Sequence, residues 1–329
     1  MSGRVAVYSL LLFWLTLQTA TATTDTADKD VRSWLRSMVE SVRNLNYQGT
    51  FVYLHDNQLE SMQIVHTVDA GGERERLVSL NGAAREIVRD DASVICVAPD
   101  ARSISVSRGG VGGGFRAVFS MDIEALSEFY DYQLLNQVRV AGRDAQAVAI
   151  LPKDSYRYGY RIFLDSQNAL PLKTDMLDAD GTAVSQIMFT SIKIEADVAR
   201  AEESDLAGRE NYHWVQRETG SVNHPALEDD WEIDKGLPQG YHIKLRTQMP
   251  AEREGPPVSH FVLSDGLASL SLYIENGGSD PESALIGGSR IGAVNAFGRV
   301  TDGYQITAVG AVPAATVERV AAAVRHNSR

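Results

Sequence analysis

Residues 48–98 read QGTFVYLHDNQLESMQIVHTVDAGGERERLVSLNGAAREIVRDDASVICVA, and this stretch decides the fold. Thr50, Val52 and Leu54 alternate with Phe51, Tyr53 and His55. Met62, Ile64, His66 and Val68 alternate with Gln63, Val65 and Thr67. A period of two sends each set to its own face of a sheet. Turn signals stand at Asp56-Asn57, Gly71-Gly72, Asn81-Gly82 and Asp90-Asp91, residue pairs that tolerate positive φ or cap a turn with a side chain. The stretch therefore predicts about five consecutive antiparallel strands, a meander with one face to bury.

What covers that face comes just before it. Val31, Trp34, Leu35, Met38, Val39, Val42 and Leu45 recur at three- and four-residue steps, one apolar stripe of a helix of about four turns. Asp28 or Asp30 is expected as its N-cap. Further back, Arg4, the apolar run from Val5 to Leu17 and Ala20-Thr21-Ala22 form the three parts of an export signal. The run is shorter than the roughly 20 residues a membrane-spanning helix needs. Cys96 is the one cysteine, so no internal disulfide is expected, and its apolar setting reads as a small buried hydrophobe.

Downstream, Ser107 to Phe115 (SRGGVGGGF) is a glycine tract. It lacks the Gly-Lys-Ser/Thr of a phosphate loop and reads as a mobile connection. Residues 121–132 predict a short helix, and 132–194 a second meander in which Tyr158, Tyr160, Ile162 and Leu164 share a face. Residues 195–235 carry 12 acidic against 4 basic side chains, which suits a solvated helix and a linker. Beyond it, strands are expected at 241–248, 258–263, 267–274 and 303–312, then a helix after Pro313 with Val317, Val320, Ala321 and Val324 inward. The division is thus a signal over 1–22, a large domain over 23–200, an acidic linker over 201–230 and a small domain over 231–329.

With 329 residues the chain is long for one core. Its net charge of −12 argues against nucleic acid, whose phosphates need a basic surface. The spacings HExxH, GxSxG and CxxC are absent, and no cofactor is expected. The seven histidines are scattered, with His55 and His66 alone placed to meet across a hairpin; a metal would want a third ligand. Asp178-Ala179-Asp180-Gly181 reads as a turn. Glu73, Arg74, Glu75, Arg76, Arg85, Glu86 and Arg89 read first as cross-strand ion pairs on a solvated face. An anchor for lipid phosphate or an acidic peptide is the other reading.

GTFVY, ESMQIVH, ERERLVSLNG and REIVRDD resemble the opening of the RseB/MucB family, periplasmic regulators of the envelope-stress sigma factor. VAGRDAQAVAI, YRYGYRIFLD, QIMFTSI, LPQGY, SDGLASLSLYIE and YQITAVGAVPAATV continue the likeness in order. The resemblance implies an α+β protein: a large N-terminal, unclosed antiparallel half-barrel like that of the lipoprotein carrier LolA, helices on its concave face, and a smaller C-terminal α+β domain. It implies a periplasmic binding protein, not an enzyme. The partners implied are the periplasmic domain of a membrane-embedded anti-sigma factor, shielded from site-one proteolysis, and a lipopolysaccharide or acylated lipid that releases it. Homo-oligomer formation stays open. Candidate lipid-binding residues are Phe51, Tyr53, Met62, Ile64, Tyr158, Tyr160 and Ile162. Candidate partner-binding residues are Trp231, Tyr241, Phe261, Ser264, Asp265 and Gly266. A periplasmic lipid carrier and a secreted hydrolase without a recognisable motif are the alternatives.

The export signal makes a direct prediction. N-terminal sequencing of the protein from the cell envelope should begin at Thr23; an intact Met1 in the membrane pellet would contradict the reading.

Overall fold

The computed structural model describes residues 21–108, 121–194, 198, 211–218, 231–233, 235–249, 257–276 and 285–326. Residues 1–20 of the export signal, the glycines of the 107–115 tract and most of the acidic segment lie outside the described residues. Helix α1 (Thr21–Asn44) begins before Asp28, so neither Asp28 nor Asp30 caps it. Its stripe is buried as the periodicity requires: Val31, Leu35, Met38 and Val42 are at most 1% exposed.

The meander follows as β1 (Tyr47–His55), β2 (Gln58–Asp69), β3 (Gly72–Ser79), β4 (Glu86–Asp90) and β5 (Ser93–Ala98), and β6 (Ser103–Arg108) extends it. Asp56 and Asn57 both take positive φ, 46° and 58°, the two-residue hairpin that matches strand twist. Asn81-Gly82 makes no tight hairpin. Six residues separate β3 from β4, and the Asn81 side chain accepts from the Ser61 amide and donates to the Leu59 carbonyl, extending the pairing along β2. Asp90 closes its turn by accepting from the amides of Ala92 and Ser93.

A single helical turn, α2 (Ile123–Leu126), stands where a longer helix was expected. The second meander is β7 (Tyr130–Val140), β8 (Arg143–Pro152), β9 (Gly159–Asp165), β10 (Pro171–Leu177) and β11 (Ala183–Ile194). Asp178 accepts from the amides of Asp180 and Thr182, so 178–181 is a turn. The meanders join where β1 pairs with β11, giving one twelve-stranded sheet in the order β12-β6-β5-β4-β3-β2-β1-β11-β10-β9-β8-β7. β12 (His213–Glu218) comes from the acidic segment. It is a strand where a solvated helix and linker were expected, and it runs parallel to β6.

The edges β12 and β7 do not meet, so the sheet is unclosed. One contiguous core nevertheless takes Leu77 of β3, Tyr132 of β7 and the α1 stripe together. Strands β3 and β7 are seven spacings apart, roughly 33 Å along a flat sheet. Residues 31–44 of α1 span only about 20 Å. The sheet curls around the helix to bring both ends to it.

The second unit has its own core. β14 (His242–Met249), β15 (Val258–Ser264), β16 (Ser269–Asn276), β17 (Gly287–Ile291), β18 (Val294–Thr301) and β19 (Tyr304–Gly310) form a sheet in the order β14-β15-β16-β19-β18-β17. One face buries Phe261, Leu263, Leu270, Leu272, Ile274 and Ile306 against Val317, Val320, Ala321 and Val324 of α3 (Ala314–Ala323) and the residue after it. The short strands β13 (Trp231–Glu232) and β20 (Arg325–His326) pair beside this core. β17 and β18 were not expected: GGSRIGAVNAFGRV carries no clean alternation.

A buried charge sits where the units meet. The Arg157 guanidinium donates to Asp265 at 2.6 Å with both side chains fully buried. It also pairs with Asp154 and the Gln239 carbonyl. The rings of Phe129, Tyr241 and Tyr130 lie 4.8, 5.1 and 5.8 Å from it. The Tyr130 hydroxyl donates to Asp265 at 2.9 Å, and Asn295 donates to the Tyr158 hydroxyl at 3.0 Å. Gly240 takes φ +83°, and a Cβ there would stand 2.6 Å from the Phe129 ring, so only glycine lets the backbone come this close.

Removing one partner of a fully buried pair strands the other charge, at a cost of about 3–5 kcal/mol. Asp265→Ala should therefore destabilise the mature chain by that amount in chemical denaturation. Tyr130→Phe, which deletes one hydrogen bond to a charged acceptor, should cost about 1.5–3 kcal/mol. An Asp265→Ala effect within about 0.5 kcal/mol, as for an ordinary surface change, would show that the joint is not closed by this pair.

Candidate functional site

The concave face of the large sheet is built by alternation. Facing α1 are Phe51 of β1, Met62 and Ile64 of β2, Leu77 of β3, Tyr160 and Ile162 of β9 and Phe189 of β11, all at most 8% exposed. Register fixes the neighbours: Phe51 lies opposite Met62 and Phe189, and Gly49 opposite Ile64. The α1 stripe fills this face. Small contacts hold the helix beyond its apolar side. Arg32 and Arg36 pair with Glu124 of α2 at 2.9 and 2.6 Å, and Ser41 donates to the Asn168 carbonyl. Glu124 is 62% exposed, and ion pairs of that kind are worth about 0–1 kcal/mol each.

Five of the seven candidate lipid-binding residues, Phe51, Met62, Ile64, Tyr160 and Ile162, share this one core with α1. Tyr53 is on the same face but towards its rim, half-buried and stacked on His55 at 4.5 Å. Tyr158 lies at the joint, bonded to Asn295. Two polar surface clefts among the described residues lie elsewhere. One of about 520 Å³ runs between the outer side of α1 and the β9–β10 turn, lined by Asp30, Trp34, Ser37, Glu40 and Gln167. Another of about 500 Å³ is lined by Arg139, Arg143, Asp144 and Asp165.

The candidate partner residues fall in two places. Trp231 and Phe261 belong to the small core, 7% and 1% exposed; Trp231 sits edge-on to Tyr304 at 4.9 Å. Tyr241, Ser264, Asp265 and Gly266 belong to the joint or the turn beside it. Tyr241 donates to the Tyr156 carbonyl. Ser264 accepts from the Gly266 amide, and Asp265 accepts from the amides of Leu267 and Ala268. Burial and the Asp265 charge hold the hydroxyls of Tyr130, Tyr160 and Tyr241 far above the ordinary phenol range. They stay neutral, and Tyr130 donates to that carboxylate.

His55 and His66 do not meet. His55 pairs with Gln58 and His66 with Tyr47, eight strand residues apart, which is roughly 27 Å. Among the described residues no group of three or more His, Cys, Asp or Glu side chains is arranged to hold a metal, and no helix is long and apolar enough to cross a membrane. The charged run is only partly the solvated ladder expected. Arg76 meets Glu86 at 2.8 Å and Arg85 meets Glu60 at 3.3 Å, but Glu75 has the parity of Leu77 and is 3% exposed on the inner face. Sequence reasoning also missed Arg157. Its signal was a lone arginine among the tyrosines of SYRYGY, just ahead of β9.

Comparison with known proteins agrees with this architecture over nearly the whole chain. The MucB/RseB N-terminal domain family matches residues 30–207, and the MucB/RseB C-terminal domain family residues 225–325. "Sigma factor AlgU regulatory protein MucB" of Pseudomonas aeruginosa is 32% identical, over 96% of each chain. "Sigma-E factor regulatory protein RseB" of Haemophilus influenzae is 30% identical, over 88% of this chain and 90% of its own. In the solved complex of Pseudomonas aeruginosa MucA and MucB, the matching chain superposes with a TM-score of 0.70 at 29% identity, over 91% of this chain and 100% of that one. Two family domains in order, each on a core of its own, make this chain a member of the MucB/RseB family.

Proposed function

We propose that this protein is a periplasmic regulator that binds the periplasmic domain of a membrane-embedded anti-sigma factor. By occupying that domain it shields it from site-one proteolysis and restrains the envelope-stress sigma factor. One observation carries the reading: near-full-length identity of 32% to a protein named as a sigma factor regulator. The relative seen in complex with MucA supports it. Masking of this kind is stoichiometric and needs no catalytic group. The buried candidates Trp231, Phe261 and Asp265 then support the shape of the small unit's surface from below; Ser264 and Gly266 present the turn.

The second half of the reading is that an acylated amphiphile occupies the concave face of the large unit and favours release. The face has the chemistry for acyl chains, with Phe51, Met62, Ile64 and Ile162 in one apolar core. α1 shares this core with Ile123 and Leu126 of α2 and is tied at its flank by exposed ion pairs of little strength. Displacing α1 gives a chain access to the face.

A cleavage assay on the purified anti-sigma periplasmic domain tests the first half. With the protein in excess, the unprotected fraction should fall as the reciprocal of one plus concentration over dissociation constant. Residues 23–210 alone should fail to protect. Full protection by that fragment would contradict the role given to the small unit. Cleavage unaffected by saturating intact protein would favour a lipid carrier. For the second half, Ile64→Glu should abolish lipid binding, with circular dichroism confirming the fold; a folded Ile64→Glu protein that still binds lipid would remove this face from the site.

A further inference from the structure

The seat of α1's C-terminal end on the sheet contains a buried acid that the function above does not use. Two polar contacts and a ring stack make the seat. His66 Nδ1 lies 2.8 Å from the Leu45 carbonyl oxygen, the Val68 amide donates to the Asn46 side chain at 2.7 Å, and Tyr47 stacks on the His66 ring at 4.7 Å. Glu75 lies directly opposite His66 across the β2–β3 pair and opposite Arg89 across the β3–β4 pair. It is 3% exposed, and neither carboxylate oxygen has a hydrogen-bond partner.

We propose that Glu75 makes the seating of α1 proton-dependent: protonated, it lets the helix end close on the sheet; ionised, it loosens it. The charged and titratable groups around it are His66 from β2, Glu73 from β3, Arg89 from β4 and Tyr47 from β1, while α1 contributes the Leu45 carbonyl. An ionised carboxylate with no donor in a water-excluded position is costly, and the neutral acid costs far less. Burial raises the affinity of Glu75 for its proton, and the charges of Arg89 and His66 only partly offset this. His66 Nε2 faces Glu73 at 3.2 Å while Nδ1 faces the Leu45 carbonyl.

The sign follows from linkage. A carboxyl that holds its proton more tightly in the closed state than in the open one favours closure at low pH. The penalty is absent below the ordinary carboxylate value, about pH 4. It grows as pH rises and levels off above the closed-state value. Because α1 covers Met62, Ile64 and Leu77, loosening its end uncovers that corner of the concave face.

Hydrogen exchange on the full mature chain, corrected for intrinsic rates, reads the seat at two amides. Leu45 donates to the Ser41 carbonyl in α1's last turn, and Val68 donates to Asn46. From about pH 5 to about pH 8, their protection should fall severalfold relative to amides of the small unit's sheet, because ionisation of Glu75 then disfavours the closed seat. Glu75→Gln should remove most of that slope. Arg89→Met, which removes the nearest offsetting cation, should move the midpoint of loosening to higher pH, a shift that a merely structural role would not produce. A wild-type protein without the slope, a Glu75→Gln protein that keeps most of it, or an Arg89→Met midpoint that stays or moves down would overturn the proposal.

Discussion

Burial of one helical stripe inside a curled sheet is the interaction on which the rest depends. Val31, Leu35, Met38 and Val42 each remove a large apolar side chain from water, worth about 1.5–3 kcal/mol apiece. Without them the inner faces of eight strands, β3 through β7 in sheet order, would have no cover. The sheet's curvature, the position of α2 and the path of the chain into β1 all follow from wrapping strands around this helix. The face best suited to an acyl chain is therefore also the face that holds the large unit together. An acyl chain placed on that face would have to compete with α1.

The joint between the units follows a different physical rule. A hydrophobic patch would let the small unit slide; the Arg157–Asp265 pair, ringed by Phe129, Tyr130 and Tyr241, does not. Buried ion pairs add little net stability but penalise every arrangement that leaves a charge unmatched. Tyr130 belongs to both structures, its ring in the core shared with α1 and its hydroxyl on Asp265. The large unit's core and the small unit's turn are thus in direct contact through one side chain.

Much of this was legible in the sequence, where local chemistry and tertiary environment agree. The five strands of residues 48–98, the α1 stripe and the inward face of α3 all follow from periodicity, because each buries one side and wets the other. Legibility fails where that agreement breaks. β17 and β18 are rich in glycine and small residues, and β12 pairs in parallel at an edge, so neither carries a period of two. Asn81-Gly82 has the residues of a tight turn, but Asn81 is committed to the β2 backbone. Glu75 sits in a run that reads as solvated, and only the register that pairs it with His66 reveals it as buried. Arg157 and Asp265 are 108 residues apart in sequence, and no local pattern joins them.

In the proposed function, one protein holds the anti-sigma segment and the amphiphile in mutually opposed states. Thermodynamic linkage makes this measurable by titration calorimetry. The dissociation constant of the anti-sigma periplasmic domain is measured with and without a saturating acylated lipid, and that of the lipid with and without the domain. The account predicts that each weakens the other by the same factor, of roughly 5- to 150-fold for ordinary coupling. Both ligands binding with no change in either constant would contradict it.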